Sequence, residues 1–348
     1  MAASPILDIR PLGFQWETAD PFLFCVHHHD FYPKGNEIMG PAPELLQGRD
    51  IGQDFTVKDA DPRSGNAWRM YHGAKVPGFP NHPHRGFETV TVVRKGFIDH
   101  SDSLGAAGRY GSGDVQWMTA GAGVQHAEMF PLIESNKENT LELFQIWLNL
   151  PKKNKFVNPH FKMLWNKDIP KLALKDSAGR TTRLEVIAGR YGDTAAAAPP
   201  PDSWAAESAN NVSIWHIDLE AHAEFTLPAA ATKTNRFLYF YAGDQISAAG
   251  TAIGVSHGLR LDSAAGVPLK AGAQAAQLLL LEGKPIAEPV VQYGPFVMNT
   301  RAEIEQAFAD YQRTHFGGWP WQTSEPVHER GRGRFARHAD GHEETASG

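Results

Sequence analysis

The sequence predicts an all-β chain built as two sandwich- or barrel-like halves and closed by a single helix. Three observations predict it. Short apolar or alternating segments, bounded by Gly, Pro and Asn turns, recur in two sets. Only the stretch after Asn299 switches to a helical period. Two ligand pairs, His82-Pro83-His84 and His126-Ala127-Glu128, separated by 41 residues, place good metal donors at i and i+2, where a β-strand turns them to one face.

In the first half, residues 88–93 (Glu-Thr-Val-Thr-Val-Val) form one strand, residues 105–113 a Gly-rich turn region, and residues 141–150 a strand in which Phe144, Ile146 and Leu148 alternate with Gln145, Trp147 and Asn149. Residues 161–172, with Pro159 just before and Pro170 within, are the expected hinge. A second set follows at residues 184–188, 213–219, 236–241, 258–261 and 277–281, with residues 195–202 as an exposed Ala- and Pro-rich loop. Thr300 and Glu303 then form a capping box, and Ile304, Ala307, Phe308 and Tyr311 fall on one helical face that a sheet should cover.

Composition bounds the function. A chain of 348 residues with 42% hydrophobic and 21% charged residues is long enough for two domains and typical of globular proteins. A net charge of −6 gives no electrostatic footprint for direct nucleic-acid binding. The single cysteine, Cys25, excludes an intramolecular disulfide framework and fits a reducing compartment. The start, Met1-Ala2-Ala3-Ser4-Pro5, has no basic, apolar leader, and no apolar run reaches the ~18 residues of a membrane span. The expectation is a cytoplasmic protein, also nuclear if the source is eukaryotic, with no membrane partner.

Residues 77–91 (Pro-Gly-Phe-Pro-Asn-His-Pro-His-Arg-Gly-Phe-Glu-Thr-Val-Thr), residues 113–129 (Gly-Asp-Val-Gln-Trp-Met-Thr-Ala-Gly-Ala-Gly-Val-Gln-His-Ala-Glu-Met) and residues 288–300 (Glu-Pro-Val-Val-Gln-Tyr-Gly-Pro-Phe-Val-Met-Asn-Thr) closely resemble the pirin family of bicupins, with a looser match at Asp20-Pro21-Phe22-Leu23. The resemblance spans roughly residues 77–313. It implies two tandem cupin, jelly-roll-like β-barrels with a C-terminal helix. The expected division is residues 1–165 as the metal-binding barrel, with 38–70 as an insertion; 166–316 as a second barrel including helix 301–313; and 317–348 as a largely disordered tail that could touch an acidic partner through Arg330, Arg332 and Arg334. The second half offers no ligand pair at residues 227–233 or 278–282 and is expected to be scaffold or interaction surface.

Imidazole and carboxylate donors without thiolates suit Fe, Mn, Co, Ni, Cu or Zn, and leave open positions on a metal that prefers five or six ligands. The resemblance implies iron, Fe(2+), with His82, His84, His126 and Glu128 as ligands. The general cupin pattern would take its carboxylate from Glu88, four residues past His84; the pirin pattern takes Glu128, in parity with His126, and leaves Glu88 a supporting or structural role. Gly121 and Gly123 suit the tight turn before His126. His27-His28-His29-Asp30 looks like a metal tract, but structural or surface roles are expected there; His72, His100, His160 and His257 are isolated and receive no role.

Two activities follow from the resemblance. Some pirins look like quercetin 2,3-dioxygenases, which open a flavonol ring with dioxygen and lose carbon monoxide; the partners would be a small aromatic substrate and dioxygen, with Glu128 as ligand and as base for the substrate hydroxyl. Regulatory members imply instead a non-enzymatic iron protein whose oxidation state sets its affinity for a transcription factor or metabolic enzyme. A different cupin reaction, an isomerase or another dioxygenase, is a third reading. Phe79, Phe87, Trp117 and Phe130 suit a flat ligand but are read first as core.

Overall fold

The computed structural model describes residues 4–49, 51–52 and 68–346. Its chain separates into two compact units. Among the described residues strands dominate, with one α-helix, Arg301–Thr314.

The unit formed by the segment ending at Cys25, Trp147–Asn149 and Lys167–Ala287 has two facing antiparallel sheets. The larger orders Ile6–Pro11, His257–Leu261, Asn235–Ala242, Ala276–Gly283, Ser213–Leu219, Thr181–Ala188 and Lys171–Lys175. The smaller orders Glu224–Leu227, Val267–Ala271, Gln245–Ala248 and Thr251–Gly254. Alternation decides the core: Trp215, Ile217 and Leu219 turn inward to meet Phe225, Leu227, Ile246 and Leu269 of the smaller sheet.

The other unit comprises Val26–Ile146, Leu150–Asn166 and Glu288–Gly348, and holds both ligand pairs. One of its sheets orders His160–Leu164, Val115–Thr119, Phe87–Lys95, Asn139–Asn149 and Phe22–Tyr32. The other, six-stranded, orders Glu343–Thr345, Phe335–Arg337, Ala107–Gly111, Phe97–Asp102, Val124–Met129 and Gly78–His84. Gly78–His84 lies at the sheet edge, where Pro80 and Pro83, which have no N–H to give, are tolerated.

Several sequence expectations change or gain detail. The N-terminal strand Ile6–Pro11 does not belong to the 1–165 barrel; it pairs with His257–Leu261 and packs Ile6 on the second core. The helix leaves the 166–316 barrel as well: both arms of the Thr300/Glu303 capping box form, and Ile304 and Ala307 are buried with Phe296, Met298 and Phe316 in the first-barrel unit. Residues 105–113 are not simply a turn, since Ala107–Gly111 is a buried strand. The expected hinge, residues 161–172, does contain the division between the units at Asn166 and Lys167, and it carries strand residues of His160–Leu164 and Lys171–Lys175 as well.

The 317–348 tail is ordered as far as it is described. Phe335–Arg337 pairs with Ala107–Gly111 and buries Phe335 and Ala336. The guanidinium of Arg109, 1% exposed, is bonded to both Asp99 oxygens (2.6 and 2.7 Å) and to the carbonyls of His328, Glu329 and Arg330. Composition suggested disorder because the tail has little apolar surface of its own; it folds by borrowing a sheet edge and by satisfying a buried charge.

Of the 38–70 insertion, Met39, Trp68 and Met70 are buried, and Pro43–Leu46 forms a single 3₁₀ turn. Residues 50 and 53–67 lie outside the described residues.

Candidate metal centre

The two ligand pairs meet because their strands are direct neighbours. In the antiparallel ladder between Gly78–His84 and Val124–Met129, His82 lies opposite His126, and a bulge between Phe79 and His82 sets Phe79 opposite Glu128. The parity of i and i+2 turns His82, His84, His126 and Glu128 to one face. Ring centroids are 4.5 Å apart for His82–His126, 4.8 Å for His82–His84 and 4.9 Å for His84–His126. One donor nitrogen from each of the three lies within 4.8 Å of the others, the single such ligand group among the described residues. Glu128 Oε2 lies 3.7 Å from His126 Nε2.

The surroundings hold these rings in ligating form. His82 Nδ1–H donates to the carbonyl of Pro80 at 2.8 Å and His84 Nδ1–H to that of Pro295 at 3.4 Å, which fixes the tautomer that leaves Nε2 as the basic nitrogen. Burial pushes the His82 imidazolium down to about 4, and burial with neighbouring histidines holds His84 and His126 well below the usual range, so all three are neutral at pH 7. Burial raises the Glu128 carboxyl above its ordinary value, opposed by His100 and by the donors Gln145 (2.9 Å) and Thr91 (3.5 Å).

His126 tests whether a metal fits. It is fully buried, and neither ring nitrogen has a hydrogen-bond partner. Leaving a buried polar group unsatisfied costs roughly 1–3 kcal/mol, which a coordinated cation would offset. Three neutral imidazoles beside a carboxylate, with no thiolate, are donors for a divalent transition ion.

Glu88 stands apart. The chain turns between sheets at Gly86, whose φ of +86° and whose Cβ position, 2.1 Å from the carbonyl oxygen of Val297, admit only glycine. Glu88 therefore begins a strand of the other sheet, fully buried, accepting a 2.7 Å bond from Thr119 Oγ1 across the ladder. Gly121, with φ of +46°, serves the turn that leads into His126.

The His27–Asp30 tract splits by parity. His28 Nδ1–H donates to Tyr71 Oη at 2.7 Å, and Tyr71 donates to Asp30, which also holds Arg69. His27 pairs with Glu142 at 3.3 Å. Phe79 is partly buried among Tyr71, Phe130 and His82; Phe87, Trp117 and Phe130 are buried.

One residue given no role from sequence belongs beside the centre. His100 lies opposite Glu128 and Asp102 opposite His126 in the next ladder, with the His100 ring 5.6 Å from that of His126 and its Nε2 3.2 Å from Asp102 Oδ2. The signal was available: His100-Ser101-Asp102 has the same i, i+2 spacing as the ligand pairs.

Comparison with known proteins identifies the family. A family model described as Pirin matches residues 46–148, and one described as Pirin C-terminal cupin domain matches residues 214–317. A Pseudomonas aeruginosa protein named "Putative quercetin 2,3-dioxygenase" is 39% identical over 244 residues, 69% of this chain and 79% of its own length. The mouse protein named Pirin is 34% identical over 276 residues, covering 77% of this chain and 87% of its own. A crystal structure titled quercetin 2,3-dioxygenase from Acinetobacter baumannii aligns with a TM-score of 0.69 at 26% identity, over 91% of this chain and 99% of that one. With matching domains in both halves and relatives above 30% identity that are covered over more than two thirds of their length, the chain belongs to the pirin family of bicupins.

Proposed function

We propose that this protein is a mononuclear iron dioxygenase of the quercetin 2,3-dioxygenase type, acting on flavonols, with His82, His84, His126 and Glu128 as ligands. The observation that carries the reading is the convergence of three buried, neutral imidazoles beside a buried carboxylate on one face of a strand pair. The names of the bacterial relative and of the solved structure support it.

A bound metal would supply dioxygen activation and make a coordinated hydroxyl more acidic. The chain's own residues supply the rest. Pro80 and Pro295 carbonyls hold two imidazoles in the ligating tautomer. Glu128, whose proton affinity is raised by burial, accepts the flavonol hydroxyl proton, and Gln145 keeps its carboxylate oriented. Phe79, 6.2 Å from His82, offers an aromatic wall for a flat substrate. Anaerobic titration of iron-loaded protein with quercetin tests this: the flavonol's visible band should shift on binding to wild type and stay unshifted with His82→Ala/His126→Ala. An unshifted band with loaded wild type would contradict the reading.

A further inference from the structure

We infer that the C-terminal arm, residues 318–328, is a positioning element of the metal centre, holding the ligand strands from behind. The inference rests on the reading of the histidine cluster as a metal site. It concerns residues that begin where the family match stops, at 317.

The arm reaches each of the three neighbouring strands that carry the site. On the sheet's open edge, Asn81, next to His82, donates its N–H to the carbonyl of Ser324 at 2.9 Å, so the arm takes up a donor that the edge strand would otherwise leave unpaired. Glu325 Oε2 accepts from the N–H of Ala74 (3.0 Å) and of Lys75 (3.4 Å), on the segment leading into that strand. On the third strand, Trp321 Nε1–H donates to the carbonyl of Asp102 at 2.8 Å and His328 Nε2–H to that of His100 at 3.0 Å.

Gln125 ties the middle strand to the same arm. It precedes His126, so its side chain leaves the opposite face of the strand. Its amide nitrogen donates to the carbonyls of His315 (2.6 Å) and Gly318 (3.0 Å), and its oxygen accepts from Tyr311 Oη (3.1 Å) and Asn81 Nδ2 (3.4 Å). One amide thus links both ligand strands, the end of the helix and the start of the arm. The separation of His82 and His84 from His126 is set by this ladder, and Pro80 and Pro83 deprive it of two N–H groups. The arm supplies bonds that the ladder lacks, in the manner of outer groups that orient metal ligands without touching the metal.

The test uses full-length protein loaded with cobalt(II), with the dissociation constant measured by chelator competition and the ligand-field spectrum recorded alongside. Trp321→Phe/Glu325→Ala keeps the aromatic ring and removes the bonds to Asp102, Ala74 and Lys75; Gln125→Ala removes the hub. Arg332→Ala, beyond the arm, removes an exposed pair with Glu343 and a guanidinium contact on the Phe335 ring but no bond to the site's strands, and serves as control. The expected result is a 10–100-fold weaker cobalt affinity with an altered spectrum for the first two, and wild-type behaviour for the control. If Gln125→Ala does not fold, the Trp321→Phe/Glu325→Ala variant decides. Wild-type affinity and spectrum in that variant, or an equal loss in Arg332→Ala, would overturn the inference. Wild type that binds no cobalt would overturn the metal-centre reading beneath it.

Discussion

His82 and His126 stand directly opposite each other across one antiparallel strand pair, their rings 4.5 Å apart, although 43 residues of sequence lie between them. Each brings a neighbour two residues on, His84 and Glu128, to the same face. If these four groups hold a metal, wild type should carry about one transition ion per chain and His82→Ala/His126→Ala should carry almost none. Elemental analysis after gel filtration measures this, and undiminished metal in the double variant would exclude the assignment.

The two candidate carboxylates give a second prediction. Glu128 is beside the cluster, whereas Glu88 is committed to Thr119 on the other sheet. Under chelator challenge, Glu128→Gln should lose metal at least tenfold faster than Glu88→Gln. The reverse order would restore the general cupin arrangement.

A third prediction concerns acid. Burial lowers the His82 pKa from 6.5 to about 4 in the folded chain, so between these values the unfolded chain binds more protons than the folded one. Stability of the metal-free protein should therefore be fully present above pH 6.5 and fall as the pH drops towards 4. His84 and His126 are shifted the same way and add to the loss. Urea midpoints at pH 7.5 and pH 5 check it; a midpoint that rises on acidification would contradict the sign.

The buried Asp99–Arg109 pair anchors the tail. Asp99→Ala should cost about 3–5 kcal/mol, because it strands a guanidinium that is nearly inaccessible to water. Deleting residues 328–348 removes three carbonyl acceptors from the same guanidinium and should lower the melting temperature by several degrees. This reverses the expectation from composition that the tail is largely disordered. An unchanged melting temperature would restore that expectation.

What could be read from sequence was local. The two ligand pairs depend on a period of two, the helix on the spacing of Thr300 and Glu303, and each is visible within a few residues. What could not be read depends on pairing between distant segments. No local pattern says that Ile6–Pro11 pairs with residues near 260, or that Phe335–Arg337 extends the sheet at Ala107–Gly111. The choice between Glu88 and Glu128 is of the same kind, since it turns on a change of sheet at Gly86 that is forced by the carbonyl of Val297, over 200 residues on. His100 and Asp102 differ: their spacing was legible, and only their place beside His126 gave it meaning.

The most direct test of the proposed oxygenase is turnover. Iron-loaded wild-type protein, mixed with quercetin in air, should bleach the flavonol's visible band with matching consumption of dioxygen, and His82→Ala/His126→Ala should do neither. Fully loaded wild type that consumes no dioxygen and leaves the flavonol intact would contradict the account.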